Sequence, residues 1–230
     1  MEKYGAITAV LLDFDGTLVF LPTNYARMRS RLSKLFAHFG VKSTFRPVLD
    51  SVHDLLSKLA DKNYPESLLR EVRNKAYTII DDEELVSVNQ AQLANGVKEV
   101  LSFLQENGMK VAIISRNGIG CVQASIDTLS IPNPDLIVSR DDVNFEELKP
   151  APRQVEIALD KLKLKPTEVI FVGDSLYDIQ CGKSLGIQTI LVAHDKNSEN
   201  KELNPDFVIT TLYGIINFLK RRANDTERYP

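Results

Sequence analysis

An α/β fold, in which a parallel sheet is interrupted by an all-helical insertion, is predicted from three observations on this 230-residue chain. From about residue 95 onward, apolar runs of strand length alternate with amphipathic stretches of helix length. A further apolar run, at 7–13, stands apart near the N-terminus. Between the two, from Asn24 to about Val88, the pattern is helical and carries no strand signal. Near-continuous Val/Ile/Leu runs mark strands buried on both faces, and strands alternating with helices build parallel sheets covered on both sides.

The elements follow in order. Ile7-Thr8-Ala9-Val10-Leu11-Leu12 makes the first strand. The insertion divides into helices near 24–39, 47–61 and 65–86. The first sets Met28, Leu32, Leu35 and Phe36 against Arg27, Arg29, Arg31 and Lys34, an apolar stripe opposed to a solvated cationic face. Gly40 suits its C-terminal cap, and Pro65 suits a helix start. A helix at 96–107 stops at Gly108 and leads to a strand at 110–115. A helix at 119–129 precedes a short strand at 136–139. Pro150 and Pro152 introduce a helix at 151–163, which leads to a strand at 168–173. A helix at 176–185 stops at Gly186, and a strand at 188–193, a short strand at 207–210 and a helix at 212–222 complete the chain. The whole reads as a Rossmann-like parallel core, residues 1–21 and 95–230, with an all-helical cap at residues 22–94.

In open α/β sheets, ligands bind outside the carboxyl ends of the strands. The first strand ends in Asp13-Phe14-Asp15-Gly16-Thr17, two carboxylates two residues apart before a sharp turn. Such a pair is costly there unless a cation or a proton holds it. The second strand ends in Ser115-Arg116-Asn117. Arg140-Asp141-Asp142 follows the third, and Lys149 then stands at the entry to a helix. The fourth ends in Gly173-Asp174-Ser175-Leu176-Tyr177-Asp178. Carboxylates, a hydroxyl and a lysine on one edge suit phosphoryl transfer, which asks for a nucleophile, charge neutralisation and positioning. A carboxylate can attack phosphorus, and a second can serve as acid and then base. Mg²⁺ prefers oxygen ligands and takes one or two carboxylates with phosphate and water, which Asp13 and Asp174 supply.

These four segments resemble, in order, the four motifs of the haloacid dehalogenase superfamily in its phosphatase branch, and Lys149-Pro150-Ala151-Pro152 resembles phosphoglycolate-phosphatase-like members. The resemblance implies Asp13 as nucleophile and Asp15 as general acid and base. It implies phosphoryl binding by Ser115 and Lys149, with Arg116 bordering them, and Mg²⁺ held by Asp13, the backbone carbonyl of Asp15, and Asp174. Thr17, Asn117, Gly173 and Asp178 fall in supporting places, Asp178 to serve the metal shell or to orient Lys149. The helical insertion occupies the place of the superfamily's mobile cap, whose closure would exclude water and add substrate contacts. Phe20-Leu21-Pro22 stands where many relatives have a small polar or acidic pair.

The implied activity is hydrolysis of a small phosphorylated metabolite through an aspartyl-phosphate. A phosphomutase of the beta-phosphoglucomutase type would share this machinery, and a non-enzymatic aspartyl-phosphate switch is the third reading. Carbon–halogen cleavage needs no leaving-group acid, which Asp15 would provide. A net charge of −3 argues against a nucleic-acid partner. No apolar run approaches membrane-spanning length, and Met1-Glu2-Lys3-Tyr4-Gly5 lacks a signal-peptide pattern, so a cytoplasmic protein without a membrane partner is expected. Cys121 and Cys181 have neither metal-ligand nor redox spacing and are expected as reduced core thiols. His38, His53 and His194 are expected in surface or packing roles. The identity of the substrate and the oligomeric state have no sequence signature.

Overall fold

A computed structural model describes residues 7–194 and 204–228, with residues 224–228 described in backbone only. The Met1–Gly5 stretch read for targeting signals lies outside the described residues. The chain forms two compact units, Pro22–Gln90 and the pair of segments Met1–Leu21 and Ala91–Pro230.

The unit Pro22–Gln90 is helical: α1 (Tyr25–Ala37), α2 (Val48–Asp61) and α3 (Glu66–Ser87). Its core follows the 3.6-residue period. Met28, Leu32 and Phe36 of α1 pack with Val52, Leu55, Leu56 and Leu59 of α2 and with Leu69, Val72, Ala76 and Ile80 of α3. The face expected to be solvated is partly tied down. Arg27 Nε and Arg31 Nη1 donate to Glu83 at 2.6 and 2.9 Å, and Arg31 Nη2 reaches Asp82 at 2.7 Å. The Glu83 carboxylate is buried, so these arginines offset its desolvation.

The other unit carries strands β1 (Ala9–Leu12), β2 (Val19–Phe20), β3 (Gln92–Leu93), β4 (Lys110–Ile114), β5 (Leu136–Val138), β6 (Val169–Gly173), β7 (Gln188–Val192) and β8 (Phe207–Ile209). Its helices are α4 (Val97–Glu106), α5 (Ile119–Leu129), α6 (Arg153–Leu162), α7 (Leu176–Ser184) and α8 (Tyr213–Arg228). Six strands form one sheet in the order β5-β4-β1-β6-β7-β8, with every pairing parallel. β1 is buried on both faces, as its unbroken apolar run requires. Ala9, Leu11, Ala112, Ile114, Val169 and Phe171 face Val155, Ala158 and Leu159 of α6 and Cys181 of α7. Both cysteines are buried and free, as expected.

The antiparallel ribbon β2–β3 has no counterpart in the sequence reading. It pairs Val19 with Leu93 and Phe20 with Gln92, and Ala94 N adds a bond to Leu18 O at 3.0 Å. Two-residue strands are too short to show a period-2 pattern. The pairing joins residues 91–94 to the sheet-containing unit, whereas the sequence placed them with the insertion. α8 also runs beyond residue 222, because its last turns carry no apolar stripe that the sequence could follow. Among the described residues, no helix is long and apolar enough to cross a membrane.

Candidate active site

Sheet register brings the first, second and fourth motif segments to one place. Leu12 lies opposite Ile113 on β4 and Val172 on β6. Asp13 N continues the ladder to Val172 O at 2.9 Å, and Ser115 N continues its own to Val138 O at 2.9 Å. Asp13, Ser115 and Asp174 therefore leave neighbouring strands at the same carboxyl edge. Phe14 turns its side chain into the core, fully buried between the two aspartates. The chain then reverses. Gly16 N bonds Val19 O at 2.8 Å, and Leu18 and Val19 N–H groups both reach Phe14 O. Gly16 has φ +94, and a Cβ there would overlap the Asp174 carboxylate, so glycine is required by conformation and by contact. Thr17 Oγ1 lies 3.5 Å from Asp174 Oδ1, and Leu21 N donates to Asp15 Oδ1 at 3.0 Å.

Lys149 is the hub. Its ammonium donates to Asp13 Oδ1 at 2.5 Å, Asp178 Oδ1 at 2.6 Å and Ile114 O at 2.7 Å. These use all three of its protons. Burial alone would lower the lysine's affinity for its proton. The Asp13 and Asp178 charges overcome that and hold its pKa above the ordinary lysine range. Burial, then the Asp178 charge, push Asp13 up to about 7 against the pull of Lys149. Burial and Asp178 likewise raise Asp174 to about 6.

Asp178 has both oxygens engaged. Oδ2 accepts from Ser175 N at 3.1 Å and from Ser175 Oγ at 2.5 Å, while Oδ1 accepts from Lys149. Of the two roles expected for it, orienting Lys149 matches these bonds. A Cβ on Gly173 would overlap the Asp178 carboxylate, which explains glycine at that fully buried position. Ser115 is fully buried. Its Oγ donates to Asn117 Oδ1 at 3.1 Å and accepts from Asn117 N at 3.0 Å. The Arg116 guanidinium lies 4.2 Å from the Tyr177 ring centroid, which joins the second and fourth segments by a cation–π contact.

The third strand end contributes no carboxylate to this cluster. Asp141 Oδ2 accepts from Ile119 N at 2.7 Å, at the start of α5, and Asp142 Oδ2 accepts from Ser139 N at 2.8 Å. Arg140 is buried and its Nη1 supports Arg116 O at 2.8 Å. Two further residues touch the loops of the site: His194, expected from the sequence in a surface or packing role, and Gln154, which the sequence reading did not single out. His194 places Nε2 at 2.5 Å from Gly16 O and its ring edge-on to Phe20, 5.0 Å between centroids. Its signal was its position just after the strand at 188–193. Gln154, fully buried, bonds Lys149 N and Ser115 O. Its signal was a polar residue four before Ala158 on the buried stripe of α6.

Oxygen atoms of Asp13, Asp174 and Asp178 lie within 4.8 Å of one another. The Asp15 side chain is outside that group, which leaves its backbone carbonyl as the atom it could offer a metal. Three carboxylates against one ammonium leave two negative charges when all are ionised, in a largely buried, oxygen-only donor set. The raised pKa values of Asp13 and Asp174 reflect burial first and then that deficit of positive charge. The donor set fits a hard divalent cation.

Residues 10–192 match the family model for the haloacid dehalogenase-like hydrolases. The pyrophosphatase PpaX of Halalkalibacterium halodurans is 27% identical over 221 residues, 94% of this chain and 99% of that protein. A haloacid dehalogenase-like hydrolase domain-containing protein of Arabidopsis thaliana is 29% identical over 220 residues, 93% of this chain and 84% of its own length. The crystal structure of an HAD phosphatase from Thermococcus onnurineus shares the fold with a TM-score of 0.63 at 21% identity, covering 93% of this chain and 98% of that one. Because the family model spans most of the chain and takes in every charged group of the site, this protein belongs to the haloacid dehalogenase-like hydrolases.

Proposed function

We propose that this hydrolase is a Mg²⁺-dependent phosphatase that releases phosphate from a small phosphorylated metabolite through an aspartyl-phosphate on Asp13. The observation that carries this reading is Lys149, whose buried ammonium binds Asp13 while Asp174 stands beside them. An Asp13 carboxylate oxygen forms a bond to phosphorus as the phosphorus–oxygen bond to the leaving group breaks. Asp15 gives its proton to that leaving oxygen. Asp15 then takes a proton from the water that attacks the acyl-phosphate, freeing phosphate and the Asp13 carboxylate. Lys149 favours the ionised form of Asp13 and aims it. Ser115, with Asn117 and Arg116, supplies donors for the phosphoryl oxygens. Mg²⁺, held by Asp13, Asp174 and the Asp15 carbonyl, would neutralise charge on those oxygens. The helical unit is proposed as the cap that reads the leaving group. The activity named for the PpaX relative adds inorganic pyrophosphate to the substrates worth testing.

The test is phosphate release from a panel of phosphorylated metabolites and pyrophosphate, with Mg²⁺ and with chelator. Metal-dependent release supports the reading. An isomerised sugar phosphate without free phosphate would replace it with a mutase.

Asp15→Asn separates the two steps. With p-nitrophenyl phosphate, whose leaving group needs little protonation, it should give a burst of nitrophenol followed by turnover reduced about 10²–10⁴-fold. Mass spectrometry of quenched enzyme should show phosphorylated Asp13. Slow turnover with no burst would deny Asp15 its role in the second step.

The raised carboxyl pKa values also predict a pH effect. A carboxyl whose folded pKa exceeds the ordinary 3.8 binds its proton more tightly folded than unfolded. Its stabilisation is present at low pH and is lost as pH rises from about 4 toward about 7 for Asp13 and about 6 for Asp174. Mg²⁺ should therefore raise the melting temperature more at pH 8 than at pH 5. Equal shifts at the two pH values would contradict this assignment.

A further inference from the structure

We propose that Gln154 is a positioning residue for catalysis, a buried clamp that holds Lys149 and Ser115 in mutual register. The inference rests on the phosphatase reading for its kinetic consequence, though not for the clamp itself. Gln154 lies in the first turn of α6 and is fully buried. Its Oε1 accepts from Lys149 N at 3.2 Å. Its Nε2 donates to Ser115 O at 2.7 Å and to Ser139 O at 3.0 Å, with Val138 O at 3.5 Å. The amide can be oriented only this way, because a peptide N–H only donates and carbonyls only accept. One side chain thus ties the loops after β4 and β5 to the segment that enters α6.

The bonds close a ring. Gln154 fixes the backbone of Lys149, the Lys149 ammonium returns to Ile114 O, and the next residue, Ser115, is held by Gln154. The lysine is therefore held at its backbone and at its ammonium. Without the amide, buried backbone groups of the two residues assigned to the phosphoryl group lose a partner. Glutamate would have the length but no donor for two carbonyls when ionised. Asparagine would be one methylene short. A core-packing role alone would not require a glutamine whose donors and acceptor end on these residues.

The experiment uses Gln154→Leu and Gln154→Glu in the full chain with Mg²⁺, p-nitrophenyl phosphate as substrate and orthovanadate as inhibitor, together with amide hydrogen exchange. Gln154→Leu should lower kcat by about 10–100-fold, the range seen when groups behind a site's direct ligands are removed. KM should stay near native, and vanadate affinity should fall with kcat. Exchange should quicken at 114–117, 138–140 and 147–150 while the sheet strands stay protected. Gln154→Glu should recover relative to the native enzyme as pH falls, because the protonated carboxyl regains a donor, and it carries the test should the leucine variant fail to fold. Native kcat and native vanadate affinity in Gln154→Leu would overturn the proposal. So would faster exchange throughout the sheet, which marks a packing residue only. Should the native protein release no nitrophenol, the phosphatase reading fails by itself, and the local exchange pattern still decides whether Gln154 is the clamp.

Discussion

Asp13→Asn should lower phosphate release by at least about 10⁴-fold, the scale of losing a nucleophile, and should at the same time make the metal-free protein more stable at pH 8. The first effect follows because an amide cannot form the acyl-phosphate. The second follows from burial. At pH 8 the native Asp13 lies above its pKa of about 7 and is charged beside Asp174 and Asp178, with one ammonium to offset three carboxylates. A neutral amide of the same shape relieves that repulsion and still accepts a bond from Lys149. The gain should shrink toward pH 5, where the native carboxyl is already protonated. Urea denaturation with chelator at both pH values, beside a phosphate-release assay, measures both effects. Turnover near the native rate, or a variant less stable at pH 8, would show that the charge balance has been misread.

Lys149→Met carries the opposite sign. It removes the cation bonded to Asp13 and Asp178 and leaves buried carboxylates facing one another. Breaking a buried pair by deleting one partner typically costs about 3–5 kcal/mol. We expect a loss of that order at pH 8 without metal, together with loss of turnover. Mg²⁺ should restore part of the stability and none of the activity, because it can neutralise the carboxylates and cannot aim Asp13. The denaturation midpoint with and without Mg²⁺ decides it. A variant as stable as the native protein would mean that the carboxylates are protonated at that pH.

Much of the fold was legible because long, strongly periodic segments announce themselves. The apolar runs of β1, β4, β6 and β7 and the stripes of α1, α2, α4 and α6 were read within about two residues of their observed ends. What escaped was short or set by distant pairing. The β2–β3 ribbon depends on a partner some seventy residues away and has no local pattern. In the site, Asp13, Ser115, Lys149 and Asp174 were legible from the rule that strand ends collect ligands, joined to a matching order of motifs. The rule overreached at Asp141 and Asp142, which support loop backbone, because sequence does not reveal what a carboxylate accepts from. It underreached at Gln154, whose partners are backbone atoms and leave no mark on neighbouring residue types.

The three-to-one ratio of carboxylates to ammonium also fixes a sequence of arrivals. Above the Asp13 pKa of about 7, an anionic ester approaching the cation-free cluster meets uncompensated negative charge at short range, screened little by water. A divalent cation meets the reverse. On the proposed phosphatase reading, cation before anion is the expected order of binding, and the phosphate ester's affinity should be a property of the cation-loaded protein. Initial-rate patterns with the two varied together should be those of an ordered mechanism, in which a phosphate analogue alone gains no hold on the cation-free enzyme.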